Sequence, residues 1–145
     1  MSKFAQGIYR PQNPDKYLGK TTPRYRSSWE YQFMCLCDRH PAIKQWASES
    51  VRIPYLNPLT NKKTHYIPDF LVVYEDRQGN NHTELIEIKP SKQTTLESAR
   101  SNKDKLAAIL NQAKWAAAQQ WADSKGIRFR IVTERDIFNQ GKSKS

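Results

Sequence analysis

Long apolar runs are missing from this chain of 145 residues: the longest span only a few positions, far short of the roughly 20 that cross a bilayer. The opening Met1-Ser2-Lys3-Phe4 also lacks the apolar stretch of a secretory signal. No segment is long and apolar enough for a helical bilayer crossing, and the chain is expected to be cytoplasmic. Cysteine is equally scarce. Cys35 and Cys37, separated by one residue, cannot close a normal disulfide on a helix, and with His40 nearby they are still too few for a tetrahedral zinc site. That excludes a disulfide-stapled secreted scaffold. Five glycines are too few for a collagen-like fibre, while 37% hydrophobic content with four Trp, seven Tyr and five Phe excludes disorder of the whole chain. The length supports one domain around one core.

Acidic residues are the remaining shortage. Fourteen Asp and Glu face 24 Lys and Arg, a formal charge of +10 and a pI near 9.7. Such a surplus favours a polyanionic partner, because neutralising phosphates releases condensed counterions. Ribosome association, an anionic membrane surface or plain solubility are the competing explanations. The surplus lies in the flanks: residues 1–29 carry +5 and residues 92–145 carry +6, whereas 30–45 are neutral and 46–91 carry −1.

Residues 1–26 hold Pro11, Pro14, Pro23, Gly7 and Gly19 with no clear period, which reads as an extended basic arm that either grips phosphate or drapes over the domain. A domain is expected over 27–138 and a frayed tail over 139–145. Ser27 and Glu30 have capping-box spacing, so a helix starts here, with Trp29, Phe33, Leu36 and Cys37 on one face, and Pro41 ends it. Ile43, Trp46 and Ala47 suggest a short continuation or turn onto the core. From Ser50 the period becomes two: Val51, Ile53 and Tyr55 mark a strand, a turn at 60–62 leads into a longer strand over 65–74, and a turn at 78–81 leads to a returning strand over 84–89. These make an antiparallel meander, in which Phe70-Leu71-Val72-Val73 reads as buried on both faces. A helical seam of Leu106, Leu110, Ala113, Ala117 and Trp121 follows, stopped by Gly126, and a final strand alternates over 127–132.

Charges inside otherwise apolar strands are costly unless paired or bound to a cation. Asp69 follows Pro68 at the head of one such strand, and Glu87-Ile88-Lys89 sits in the next. Glu87 and Lys89 point to one face while Ile86 and Ile88 point to the other. Asp69 and Glu87 are equidistant from a turn centred at residue 78, so two carboxylates meet across one rung with a lysine beside them. Two hard oxygen ligands suit Mg²⁺, and an adjacent ammonium suits the water or the charge that develops on a phosphoryl group. Glu30, on the inward edge of the first helix, is placed to complete the acidic cluster. The pattern points to metal-assisted phosphodiester hydrolysis.

Pro68-Asp69 followed by Glu87-x-Lys89, with Glu30 on a preceding helix, resembles the PD-(D/E)xK nuclease superfamily. More narrowly, Tyr25-Arg26-Ser27-Ser28-Trp29-Glu30, residues 49–55, Glu87-Ile88-Lys89-Pro90, Lys114-Trp115-Ala116-Ala117-Ala118 and residues 126–134 resemble the head completion nucleases of contractile-tailed phages. The likeness spans roughly residues 24–135, and the endonuclease subunit of Tn7-type transposases shares the same site logic. The resemblance implies an α/β, restriction-endonuclease-like mixed sheet with an antiparallel meander flanked by helices. It implies a Mg²⁺-dependent DNA endonuclease, with Mn²⁺ as an alternative cofactor, acting at the filled phage head in the host cytoplasm. Phage portal or head proteins are candidate partners and no membrane is. Asp69 and Glu87 would bind the metal, Lys89 would serve the water or transition state, and Glu30 would be the helical acid.

Each reading has a plain structural competitor. For Glu30 the competitor is a capping role, and for Glu87 with Lys89 it is a same-face ion pair. Cys35, Cys37 and His40 read more simply as core thiols and a helix-end histidine. His65 and His82 are left out of the site, and Trp115 and Trp121 read as core. Arg24 and Arg26 in the arm, with Lys92, Arg100, Lys103 and Lys105 around the polar loop, are candidate DNA-backbone contacts, against the alternative of a solvated helix start. Two rival functions stand beside the nuclease: a non-catalytic DNA-binding head or neck protein, and a junction resolvase or transposase subunit.

Overall fold

The computed structural model describes residues 6–90 and 101–138. Helix α1 (Ser28–Arg39) starts where the sequence places it: Ser27 Oγ accepts the Glu30 amide at 3.1 Å. The Glu30 carboxylate reaches back to the amide of Arg26 at 2.9 Å, one residue before the cap. Phe33, Met34, Cys37 and Asp38 are its buried positions. After Pro41 the chain does not continue as a helix. Residues Ile43–Ser48 form strand β3, and a register shift between Ile43 and Gln45 gives its apolar residues the spacing that imitates a helical turn.

The long strand expected over 65–74 is two strands. Strands β4 (Ile53–Asn57) and β5 (Lys62–Tyr66) pair as a separate antiparallel hairpin, and β6 (Phe70–Glu75) belongs to a four-stranded sheet. The break falls at Ile67-Pro68-Asp69, where proline has no amide to donate to a ladder. Strand β7 (Asn81–Ile88) returns antiparallel to β6, helix α2 (Asn102–Lys125) crosses over, and β8 (Arg128–Val132) pairs parallel to β7. A short helix α3 (Glu134–Phe138), which the sequence reading lacks, follows. The sheet order is β3-β6-β7-β8, the mixed, helix-flanked sheet of a restriction-endonuclease-like fold.

One sheet face packs with α1: Phe33, Met34, Cys37, Trp46, Phe70, Val72, Ile86, Ile88 and Val132 form a buried cluster. On the other face Leu85 joins Ile53 and Tyr66 of the hairpin and Trp115 and Ala118 of α2. Strand β7 is thus covered on both sides, its last five residues all buried. The buried seam of α2 is Ala108, Trp115, Ala118 and Ala122, not the expected one. Leu106 is exposed, and Ala117 and Trp121 are only partly buried beside the second cluster. Apolar residues surround most of this helix, so its period alone selects no face, and the alanines win because they let the backbone approach the sheet.

Residues 6–26 drape over the domain. Strand β1 (Gly7–Ile8) pairs with β2 (Arg24–Tyr25), and Tyr9 is buried in the α1 cluster. Asp38, wholly buried, accepts the Tyr9 hydroxyl at 2.6 Å and the amides of Gln12 and Asn13 at 2.7 and 3.0 Å. Lys16 Nζ donates to the Asp38 and His40 carbonyls at the end of α1, where the helix dipole favours a cation. The segment's anchors are tyrosines, which carry no period to reveal them. The tail over 139–145 lies outside the described residues.

Candidate active site

The register runs Phe70↔Ile86, Leu71↔Leu85, Val72↔Glu84, which sets Asp69 opposite Glu87 one step beyond the ladder. Pro68 ends the hairpin strand, so the chain enters β6 at Asp69 with its carboxylate beside the end of β7. There Asp69 Oδ2 accepts the Ile88 amide at 2.8 Å. Its own carbonyl accepts the Glu49 amide at 2.9 Å, and Glu49 holds a left-handed φ of 51° at the edge-strand exit. Glu87 is 7% exposed. Its Oε1 accepts the Tyr66 hydroxyl at 2.6 Å, and its Oε2 stands 3.9 Å from Lys89 Nζ.

The electrostatics identify a cluster short of positive charge. Burial, then the Glu87 charge, pushes the Asp69 carboxyl well above the usual range, against the Ile88 amide; Glu30 adds to the rise and Lys89 opposes it. Glu87 is raised by burial, with Tyr66, Lys89 and Lys114 holding it back. Glu30 is raised by burial too, opposed by the Arg26 amide and charge and by Lys89, and assisted by Glu49. Like charges brought together in a low-dielectric site favour the neutral forms unless a cation compensates. The four residues singled out in the sequence, Glu30, Asp69, Glu87 and Lys89, therefore share one electrostatic site. Glu30 keeps its capping hydrogen bond there as well.

Among the described residues, no three His, Cys, Asp or Glu side chains are gathered as a ready cage for a metal ion. Two facing carboxylates with elevated affinity for positive charge nonetheless fit a hard, hydrated cation such as Mg²⁺, which binds through one or two carboxylates and keeps its waters.

Three neighbours escape sequence reasoning. Tyr66 belongs to the hairpin, and its hydroxyl is raised by burial and the adjacent Glu87. Lys114 of α2 sits with Nζ 5.8 Å from the centre of the Tyr66 ring, giving Glu87 a second cation besides Lys89. Glu49 forms an ion pair with Arg26. Glu49 and Lys114 fall inside stretches that carry the family resemblance, but nothing local marks any of the three as a neighbour of the site, since each comes from a different part of the fold.

The candidate DNA contacts are dispersed. Arg24 is exposed on β2, and Arg26 is drawn into its pair with Glu49. Lys103 and Lys105 are exposed on the first turn of α2, while Lys92 and Arg100 lie outside the described residues. Cys35 and Cys37 are free thiols packed in or against the core. His65 contacts Arg52, and His82 pairs with Asp76 at 2.7 Å while stacking on Tyr74.

A mixed, helix-flanked sheet with a carboxylate pair and a lysine at the end of its central strands is the architecture of the restriction-endonuclease-like class. Comparison with known families agrees: residues 40–134 match the family described as TnsA-like endonuclease N terminal, and the chain belongs to that family. The match takes in Asp69, Glu87 and Lys89 and leaves Glu30 outside. The chain is also similar to the head completion nuclease of Enterobacteria phage T4, with 36% identity over 139 residues, covering 88% of this chain and 90% of that protein.

Proposed function

We propose that this chain is a Mg²⁺-dependent endodeoxyribonuclease that hydrolyses phosphodiester bonds in DNA during phage head completion, in the host cytoplasm and near head or portal proteins. The carrying observation is Asp69 facing Glu87 across adjacent strands with Lys89 3.9 Å from Glu87, in a chain of an endonuclease family. Similarity to a head completion nuclease supports the assembly role.

Asp69 and Glu87 would hold the cation, Mg²⁺ or Mn²⁺, which when bound supplies Lewis-acid stabilisation of the attacked phosphoryl group. Tyr66 fixes the Glu87 carboxylate, and the Ile88 amide fixes that of Asp69, so neither must reorganise during the reaction. Lys89 orients the water or offsets phosphoryl charge, and Glu30 adds the third acid beside it. Phosphoryl transfer asks mainly for such positioning and charge stabilisation.

The test is cleavage of plasmid and branched DNA with Mg²⁺, comparing the native chain with Asp69→Ala and Lys89→Ala. Loss of at least about 100-fold in rate is expected for each variant. A native chain that cuts no DNA across divalent metals, or variants that cut as well as it does, would overturn the assignment.

A further inference from the structure

The cations in the middle of the chain are segregated rather than mixed. Residues 51–67 contain Arg52, Lys62 and Lys63 and no Asp or Glu, a charge of +3, while the rest of 46–91 carries −4. The fold gathers this stretch into the β4–β5 hairpin. Opposed residues in an antiparallel pair share a face, so the register puts Ile53 with Tyr66 and Tyr55 with Thr64 on one side. Pro54 with His65 and Leu56 with Lys63 lie on the other.

The first side is anchored: Ile53 and Tyr66 are buried with Trp115 of α2. The second is open to solvent, with Pro54, Leu56, Lys63 and His65 all exposed and Arg52 joining them through His65 at 3.3 Å. Lys62, opposite Asn57 and so on the side of Ile53 and Tyr55, is exposed at the tip of the hairpin beside the turn. Among the described residues, none of these three cations pairs with a carboxylate. At its root the hairpin enters the active site directly: Tyr66 bonds Glu87, and Asp69 follows three residues later.

We propose that the outer face and tip of the β4–β5 hairpin form a phosphate-tracking arm that holds duplex DNA to one side of the cleavage site, through Arg52 and Lys63 on that face and Lys62 at the tip. The inference rests on reading the chain as a DNA endonuclease. Strands of five residues reach roughly 16 Å, close to half a turn of B-DNA, whose full turn is about 34 Å. Cations spread over that length match successive phosphates. An acid-free face rooted beside an acidic centre also complements a substrate whose backbone must approach that centre.

The experiment measures affinity of the full chain for a fluorescent duplex of about two helical turns, in EDTA, as salt rises from about 50 to 200 mM. Each lost phosphate contact lowers the slope of log affinity against log salt by about 0.9. The expected result for R52Q/K62Q/K63Q is a slope lower by roughly 2–3 and binding weaker by tenfold or more at low salt. Lys63→Gln alone should lower the slope by about 1, which keeps the test open if the triple variant folds poorly by thermal melting. K44Q/R77Q/K125Q removes the same charge from exposed positions outside the hairpin and should lose less slope. An unchanged slope in the hairpin variants, or an equal loss in the control, overturns the arm. In either case cleavage by the native chain leaves the nuclease reading intact. A native chain that binds no duplex in EDTA overturns the arm, and its cleavage of plasmid or branched DNA with Mg²⁺ then decides the nuclease reading separately.

Discussion

Asp69 is tuned for charge, not for stability. Its carboxyl is raised by burial and by Glu87, so its folded form binds a proton more tightly than an unfolded Asp near 3.9. The favourable contribution is therefore complete below that value and is lost as pH rises through the raised folded value. Without divalent cation, Asp69→Asn should remove the penalty at neutral pH and raise stability by about 0.5–2 kcal/mol, while abolishing cleavage. Thermal melts in EDTA check this, and a lower melting temperature for Asp69→Asn would contradict it. On the proposal that Asp69 holds the cation, protons compete with it there, so the Mg²⁺ concentration giving half-maximal cleavage should climb as pH falls toward 5, read from Mg²⁺ titrations at several pH values. Tyr66→Phe deletes the hydroxyl that holds Glu87 Oε1. Losses of about 10–100-fold in metal affinity or activity are expected, with the fold retained, since partners of ligating carboxylates carry effects of that size.

Elements show where local chemistry suffices and where it does not. The α1 cap at Ser27, the turn before β7 and the stop at Gly126 were all legible, because each depends on residues within four positions of one another. Gly126 sits at φ 72° with open space where a Cβ would go. Gly126→Ala should therefore cost only the left-handed backbone penalty, about 1–2 kcal/mol, measurable by urea denaturation. Strand β3 and the α2 seam were not legible. A bulge disguised one period, and an alanine-rich surface offered the other helix several equivalent faces. Pro68 was visible, yet its consequence, a change of sheet between β5 and β6, depends on where α2 packs.

At the scale of the molecule, the N-terminal segment is part of the core. Asp38 is lowered overall: burial raises it, but the Tyr9 hydroxyl and the amides of Gln12 and Asn13 outweigh burial. Its contribution is therefore present above the unfolded value near 3.9 and disappears as pH falls through the lower folded value. A chain beginning at Ser27 would leave Asp38 without those partners and uncover the Tyr9 site. A loss of about 3 kcal/mol or more is expected in denaturant titrations at neutral pH. Asp38→Ala in the full chain should lose a similar amount, with the deficit shrinking below about pH 4. Equal stability of the native and shortened chains would show that the segment is a separable arm.

The sequence by itself determined the Asp69–Glu87 carboxylate rung. Asp69 and Glu87 are symmetric about the turn at 78, and a tight turn between two apolar strands imposes that register through local hydrogen bonding alone. It also determined the charge layout, since the number and order of ionisable residues precede any fold. Only the tertiary structure decided what surrounds the rung: Tyr66 from the hairpin, Lys114 from α2, and Glu49 paired with Arg26. These neighbours are far apart in the chain and meet because burial of two sheet faces brings their elements together, a condition that short-range periodicity does not encode. The same packing placed a stretch of three cations on the exposed face and tip of one hairpin rooted at the site.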